Sequence, residues 1–85
     1  MLKDRVKQLV LAFRLMELEE YILAGEQRVA RQRELIAKLS VDQDKELLTS
    51  ANQVLAQFLE AQALHIEERN RLRQQLDEIR KGTKY

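Results

Sequence analysis

The chain carries one histidine, His65, and no cysteine. A metal centre built from several imidazoles or thiolates is therefore excluded within one chain, because such sites take three or four N/S ligands. Di-iron bundles draw on Glu-x-x-His along a helix, and the matching spacing here is Gln62-x-x-His65, which lacks the carboxylate. Ser40, Thr49, Ser50 and Thr83 have no neighbouring His-Asp pair to activate a hydroxyl nucleophile. A helical histidine in a bundle can accept a phosphoryl group. The flanking Ile66-Glu67-Glu68-Arg69 nevertheless lacks the proline-containing stretch of histidine-kinase dimerisation domains. No catalytic residue, cofactor site or metal site is expected. Gln62, His65 and Arg69 instead fall at three successive positions of an apolar seam. With Glu19 and Glu26 of the preceding segment they are expected to form a hydrogen-bonded polar layer that fixes register, a common use of polar core residues in coiled coils. A ligand or ion bound by that layer is the sharper alternative.

Charge is the second source of chemistry. The net charge is only +1, from 15 basic and 14 acidic residues, so there is no global nucleic-acid footprint. Its distribution is uneven. Residues 1–14 hold Lys3, Arg5, Lys7 and Arg14 against Asp4; residues 69–85 hold Arg69, Arg71, Arg73, Arg80, Lys81 and Lys84 against Asp77 and Glu78. Brought side by side, these segments form a basic end suited to phosphate or an acidic partner. The interleaved aromatics that stack nucleobases are missing apart from Tyr85.

The elements that must position these groups are two long helices. There is no proline and there are two glycines, while Leu, Gln, Arg and Ala, all strong helix formers, dominate. A disulfide scaffold, a Gly-rich phosphate loop and a turn-rich β fold are excluded. Ser40-Val41-Asp42-Gln43-Asp44 groups the residue types that cap helices, which predicts a helix over 2–39, a turn over 40–44, a helix over 45–80 and a frayed tail over 81–85. Asp44 is the preferred N-cap, with Asp42 close behind and Glu46 in the first turn facing the positive end of the helix dipole.

Apolar spacing sets the pairing. Leu11, Leu15, Leu18, Ile22, Gly25, Val29, Gln32, Ile36 and Leu39 alternate steps of three and four. So do Leu48, Ala51, Leu55, Phe58, Gln62, His65, Arg69, Leu72, Leu76 and Ile79. Folding at the turn sets Leu39 against Leu48, Val29 against Phe58, Gly25 against Gln62, Ile22 against His65 and Leu15 against Leu72. The chain is therefore expected to be one all-α domain over 1–85, an antiparallel, coiled-coil-like hairpin.

The N-terminal third breaks this pattern. Leu2, Val6, Leu9, Phe13 and Met16 form a second stripe, two residues out of phase and so on nearly the opposite side of the helix at about 100° per residue. A helix that is apolar on both sides cannot satisfy itself against one partner. These five residues are the expected oligomer contact of a homodimer that completes a four-helix bundle.

Lys3, Arg5 and Lys7 ahead of Leu9-Val10-Leu11-Ala12-Phe13 look superficially like a signal peptide. Arg14 interrupts the run and Glu17, Glu19 and Glu20 follow, so a cytoplasmic protein without a membrane span is expected.

The stretch Tyr21-Ile-Leu-Ala-Gly-Glu-Gln-Arg-Val-Ala-Arg-Gln-Arg-Glu-Leu-Ile-Ala-Lys-Leu39, with Leu64-His-Ile-Glu-Glu-Arg-Asn-Arg-Leu72 after the turn, resembles a group of small uncharacterised alphaproteobacterial proteins. Their core reads Gly-Glu-x-Arg-Ile-Ala-x-Gln-Arg-x-Leu-Ile. The resemblance covers about residues 21–76 and implies a helical hairpin; it implies no activity. The expected function is that of a non-enzymatic interaction or scaffold module whose partner is itself, with or without a further protein. The alternative is a nucleic-acid-binding or regulatory adaptor acting through the basic end, residues 1–14 and 69–85.

Overall fold

A computed structural model describes residues 2–42 and 44–82, leaving aside the side chain of Asp42. Helix α1 runs Leu2–Asp42 and helix α2 runs Lys45–Gly82, packed against each other as a hairpin. At 1.5 Å rise per residue, 41 helical residues span roughly 60 Å. The molecule is accordingly a rod of 64 × 15 × 14 Å. Its radius of gyration is 19.0 Å, against about 12 Å for a globular chain of this length.

The turn is tighter than the cluster of capping residues suggested. Ser40 does not stop α1; its Oγ donates back to the Ile36 carbonyl at 2.8 Å, which lets the helix continue to Asp42. Serine can either cap a helix or bond back along it, and here the second option is realised. Asp44 caps α2: its Oδ1 accepts the Leu47 N–H at 3.1 Å, and its carbonyl accepts the first helical N–H, from Leu48, at 2.9 Å. Glu46 lies in the first turn, and Arg80 and Lys81 in the last, each favourable to the α2 dipole. At its other end α2 extends through Gly82, two residues past the expected end at 80. Of the expected frayed tail, residues 83–85 lie outside the described residues, as does the side chain of the alternative cap, Asp42.

The seam follows the three-four spacing along its full length. Every one of its positions is buried or half-buried. Leu18 is fully enclosed, and Ile22, Ala51 and Leu76 are buried with it. The core is therefore a single line of side chains, as expected where each helix has one neighbour.

Among the described residues, no helix is long and apolar enough to cross a membrane.

Candidate interaction surfaces

Gln62 is the one buried polar residue in the described seam, with 9% of its surface exposed. Its Nε2 donates to the Ile22 carbonyl of α1 at 2.7 Å. Gly25 lies directly opposite, as the pairing of the two helices requires. A Cβ added at Gly25 would overlap Gln62 Oε1 and come within 2.8 Å of Cδ, so the missing side chain is what admits the amide. Nearer the turn, Gln32 makes the reciprocal bond, donating Nε2 to the Ala51 carbonyl at 2.8 Å. The two glutamines thus tie each helix to the backbone of the other. Gln62 Oε1 is buried without a hydrogen-bond partner.

The five residues expected in one polar layer divide between the two flanks of the hairpin. On one flank His65 is half-buried, its ring 5.6 Å from that of Tyr21 and tilted by 37°. Both rings line an open groove of about 290 Å³ with Gly25, Arg28, Phe58 and Gln62. On the other flank Glu19, Glu26, Arg69 and Arg73 surround a shallow depression floored by Ile22 and Leu23. There Glu19 accepts from Arg73 at 2.8 Å, and Arg69 donates to its neighbour Asn70 at 3.2 and 3.3 Å. Glu26 is exposed and has no ion pair among the described residues. A single Glu-His-Arg network is therefore not formed within the chain. The physical reason is angular: Glu19 and Glu26 follow the seam on one side, whereas the His65 ring is directed to the other, where Gly25 leaves room.

Arg14 bridges the helices on the His65 flank, donating to Glu68 at 3.2 Å and to Glu17 at 3.3 Å. The hydrogen bond and charge of Glu68, with a smaller contribution from Glu17, raise the guanidinium further above its ordinary value. These exposed pairs orient side chains more than they stabilise the fold. They also engage two cations of the basic end, Arg14 and Arg73, with carboxylates of this same chain. The N-terminal segment does lie beside the end of α2: Arg5, Leu9 and Ala12 share a shallow depression with Leu76 and Arg80.

The second apolar stripe is open to solvent. Leu2, Val6, Leu9, Phe13 and Met16 are between 53% and 78% exposed, whereas Leu18, two residues further on, is at 0%. The rod as a whole exposes 7011 Å². A compact monomer of its 10.1 kDa would expose about 5,300 Å².

Among the described residues there is no group of three His, Asp or Glu side chains placed to hold a metal ion. No protein-family model, no curated protein and no solved structure matches this chain.

Proposed function

We propose that this chain is a non-enzymatic cytoplasmic interaction module that works as a homodimer. Two hairpins associate through Leu2, Val6, Leu9, Phe13 and Met16 to complete a four-helix bundle. The observation that carries this reading is the exposure of that whole stripe on a chain already well above the surface area of a compact monomer. Soluble monomers rarely expose a contiguous apolar patch of this extent. An isologous two-fold contact is its commonest resolution. Burying five such side chains contributes up to about 1.5–3 kcal/mol each from each chain. That is enough to exceed association costs of about 4–15 kcal/mol.

Sedimentation equilibrium at micromolar concentration tests the reading. The wild type should sediment at twice its chain mass. Phe13→Glu combined with Leu9→Lys should sediment as a monomer and lose helicity by circular dichroism, because a two-helix rod with one line of core has little stability of its own. A wild type that remains monomeric at these concentrations would overturn the proposal.

A further inference from the structure

The N-terminal stripe does not end at Met16. Leu2, Leu9 and Met16 recur at every seventh residue, and α1 continues that series with Leu23, Ala30 and Ala37. Seven residues return a helix to within about 20° of the same direction, and the seam (Leu15, Ile22, Val29, Ile36) recurs by sevens too, so the series winds with the seam and keeps to one side of it along almost the whole of α1. All six of these residues are exposed, Leu23 to 58%. The depression that joins Leu23 to Arg73 shows which part of α2 shares this flank. Stepping back from Arg73 by sevens reaches Ile66, half-buried, and Leu59, 40% exposed. One flank of the hairpin is thus an apolar strip from Leu2 to Ala37, widened in the middle by Leu59 and Ile66.

Two further observations say what covers it. The five N-terminal side chains occupy only the first 24 Å or so of a 64 Å rod, at 1.5 Å per residue. The surface in excess of a compact monomer is roughly 1,700 Å², about twice the 800 Å² that each partner contributes to a standard interface. Charge distinguishes the two flanks. Around Leu23 stand two acids and two bases, Glu19, Glu26, Arg69 and Arg73, with Glu26 unengaged by any cation among the described residues. Such a set is self-complementary: a two-fold axis brings the acids of one copy toward the bases of the other. The groove on the opposite flank, beside Tyr21, is lined by the cation Arg28 and by no carboxylate, so a second copy seated there would bring no acid to meet it from its own groove.

We infer that the face covered by the second copy is this flank of the hairpin, centred near Leu23, with the N-terminal stripe as one end of it. The inference rests on the self-association proposed above and names its surface. Ala30 and Ala37 let a neighbouring helix approach closely, since interaxial distance follows side-chain size. Glu26 then gains across the axis the cationic partner it lacks among the described residues of its own chain.

The test compares Leu23 with Leu35, an exposed leucine of the same helix that recurs by sevens from Tyr21 and so lies on the opposite flank. By sedimentation equilibrium, Leu23→Glu should raise the dimer dissociation constant by about 100-fold or more, and Leu35→Glu by less than about threefold. Because the chain has no cysteine, Leu23→Cys and Leu35→Cys give single thiols at the same two sites without adding charge. Alkylation of Leu23→Cys should slow by about tenfold or more as protein concentration rises through the dimer dissociation constant, with no change for Leu35→Cys; this pair decides the matter if Leu23→Glu fails to fold. A monomeric wild type overturns self-association and the face together. A dimer that Leu9→Lys with Phe13→Glu dissociates, but in which the Leu23 and Leu35 variants behave alike, overturns the face alone.

Discussion

The turn half of the rod and its open end are built from the same two helices but held in different ways. From the turn to Leu18 the contacts close within the chain. Asp44 caps α2, Gln32 and Gln62 reach across to backbone carbonyls, and Leu18 and Ile22 are buried. Toward the open end the seam continues through Leu15, Leu11 and Leu76, yet the other side of α1 bears large apolar side chains that face water. Apolar content is not what separates the two halves. What differs is how densely α1 exposes it, with six large apolar side chains open between Leu2 and Met16 against four between Tyr21 and Val41, because one neighbouring helix can cover only one face. The cap and the glutamine cross-links of the turn half are thus an intramolecular matter, whereas the exposed apolar surface, densest at the open end and continuing past Leu23, depends on what covers α1.

The largest effect should come from testing that division directly. Leu18→Ala removes the most enclosed side chain and should cost about 2–5 kcal/mol by chemical denaturation, at every protein concentration. Met16→Ala changes a side chain that is exposed in the single hairpin. Its cost should be within about 0.5 kcal/mol where the chain is monomeric and should grow as association sets in. Equal, concentration-independent losses for the two would erase the distinction between the regions.

Much of this arrangement is legible in the residues themselves. The three-four spacing identifies every seam position, because a helix offers one stripe to one neighbour and leucine marks it. The pairing of Gly25 with Gln62 follows from the same count. The polar residues are harder to read. Glu19 and Gln62 are both long and flexible, so residue spacing alone allows each several partners from one backbone position, of which the structure uses one. That Gln62 bonds a carbonyl rather than His65, and that Glu19 meets Arg73 rather than Arg69, depends on angles of a few tens of degrees that residue spacing does not carry. Gln32 shows the same ambiguity: in the seam it reads as one more polar interruption, and only its bond to the Ala51 carbonyl makes it a cross-link. Ser40 is a further case, since the hydroxyl that suggests a stop is used to continue the helix.

The middle of the seam supplies an intermediate effect with an unusual sign. In an open helix Gly→Ala stabilises by about 1 kcal/mol. At Gly25 the new Cβ would displace the Gln62 amide, whose bond to the Ile22 carbonyl would break inside the seam at a cost of about 1–3 kcal/mol. Gly25→Ala alone should therefore destabilise. Introduced into a Gln62→Ala background, where nothing obstructs the Cβ, it should stabilise by about 1 kcal/mol. A double-mutant cycle by thermal or urea unfolding reads the reversal. Additive effects would show that the amide moves aside freely and does not lock the turn half.

The smallest effect belongs to the turn, and it separates two aspartates only two positions apart. Asp44 is the N-cap of α2, bonded to the Leu47 N–H, and its replacement by alanine leaves that donor without a protein partner. Asp44→Ala should cost about 1 kcal/mol by urea unfolding. Asp42 is the last residue of α1, whose final turn holds no basic side chain. A negative charge there faces the negative end of the helix dipole, an arrangement that is mildly unfavourable in the last turn. Asp42→Ala should therefore be neutral or stabilise by a few tenths of a kcal/mol, falling with added salt. The Asp44 loss, which comes from a hydrogen bond at the closed end, should keep its size in salt and at every protein concentration. Should the two aspartates cost the same, the boundary between α1 and α2 would have to move by two residues.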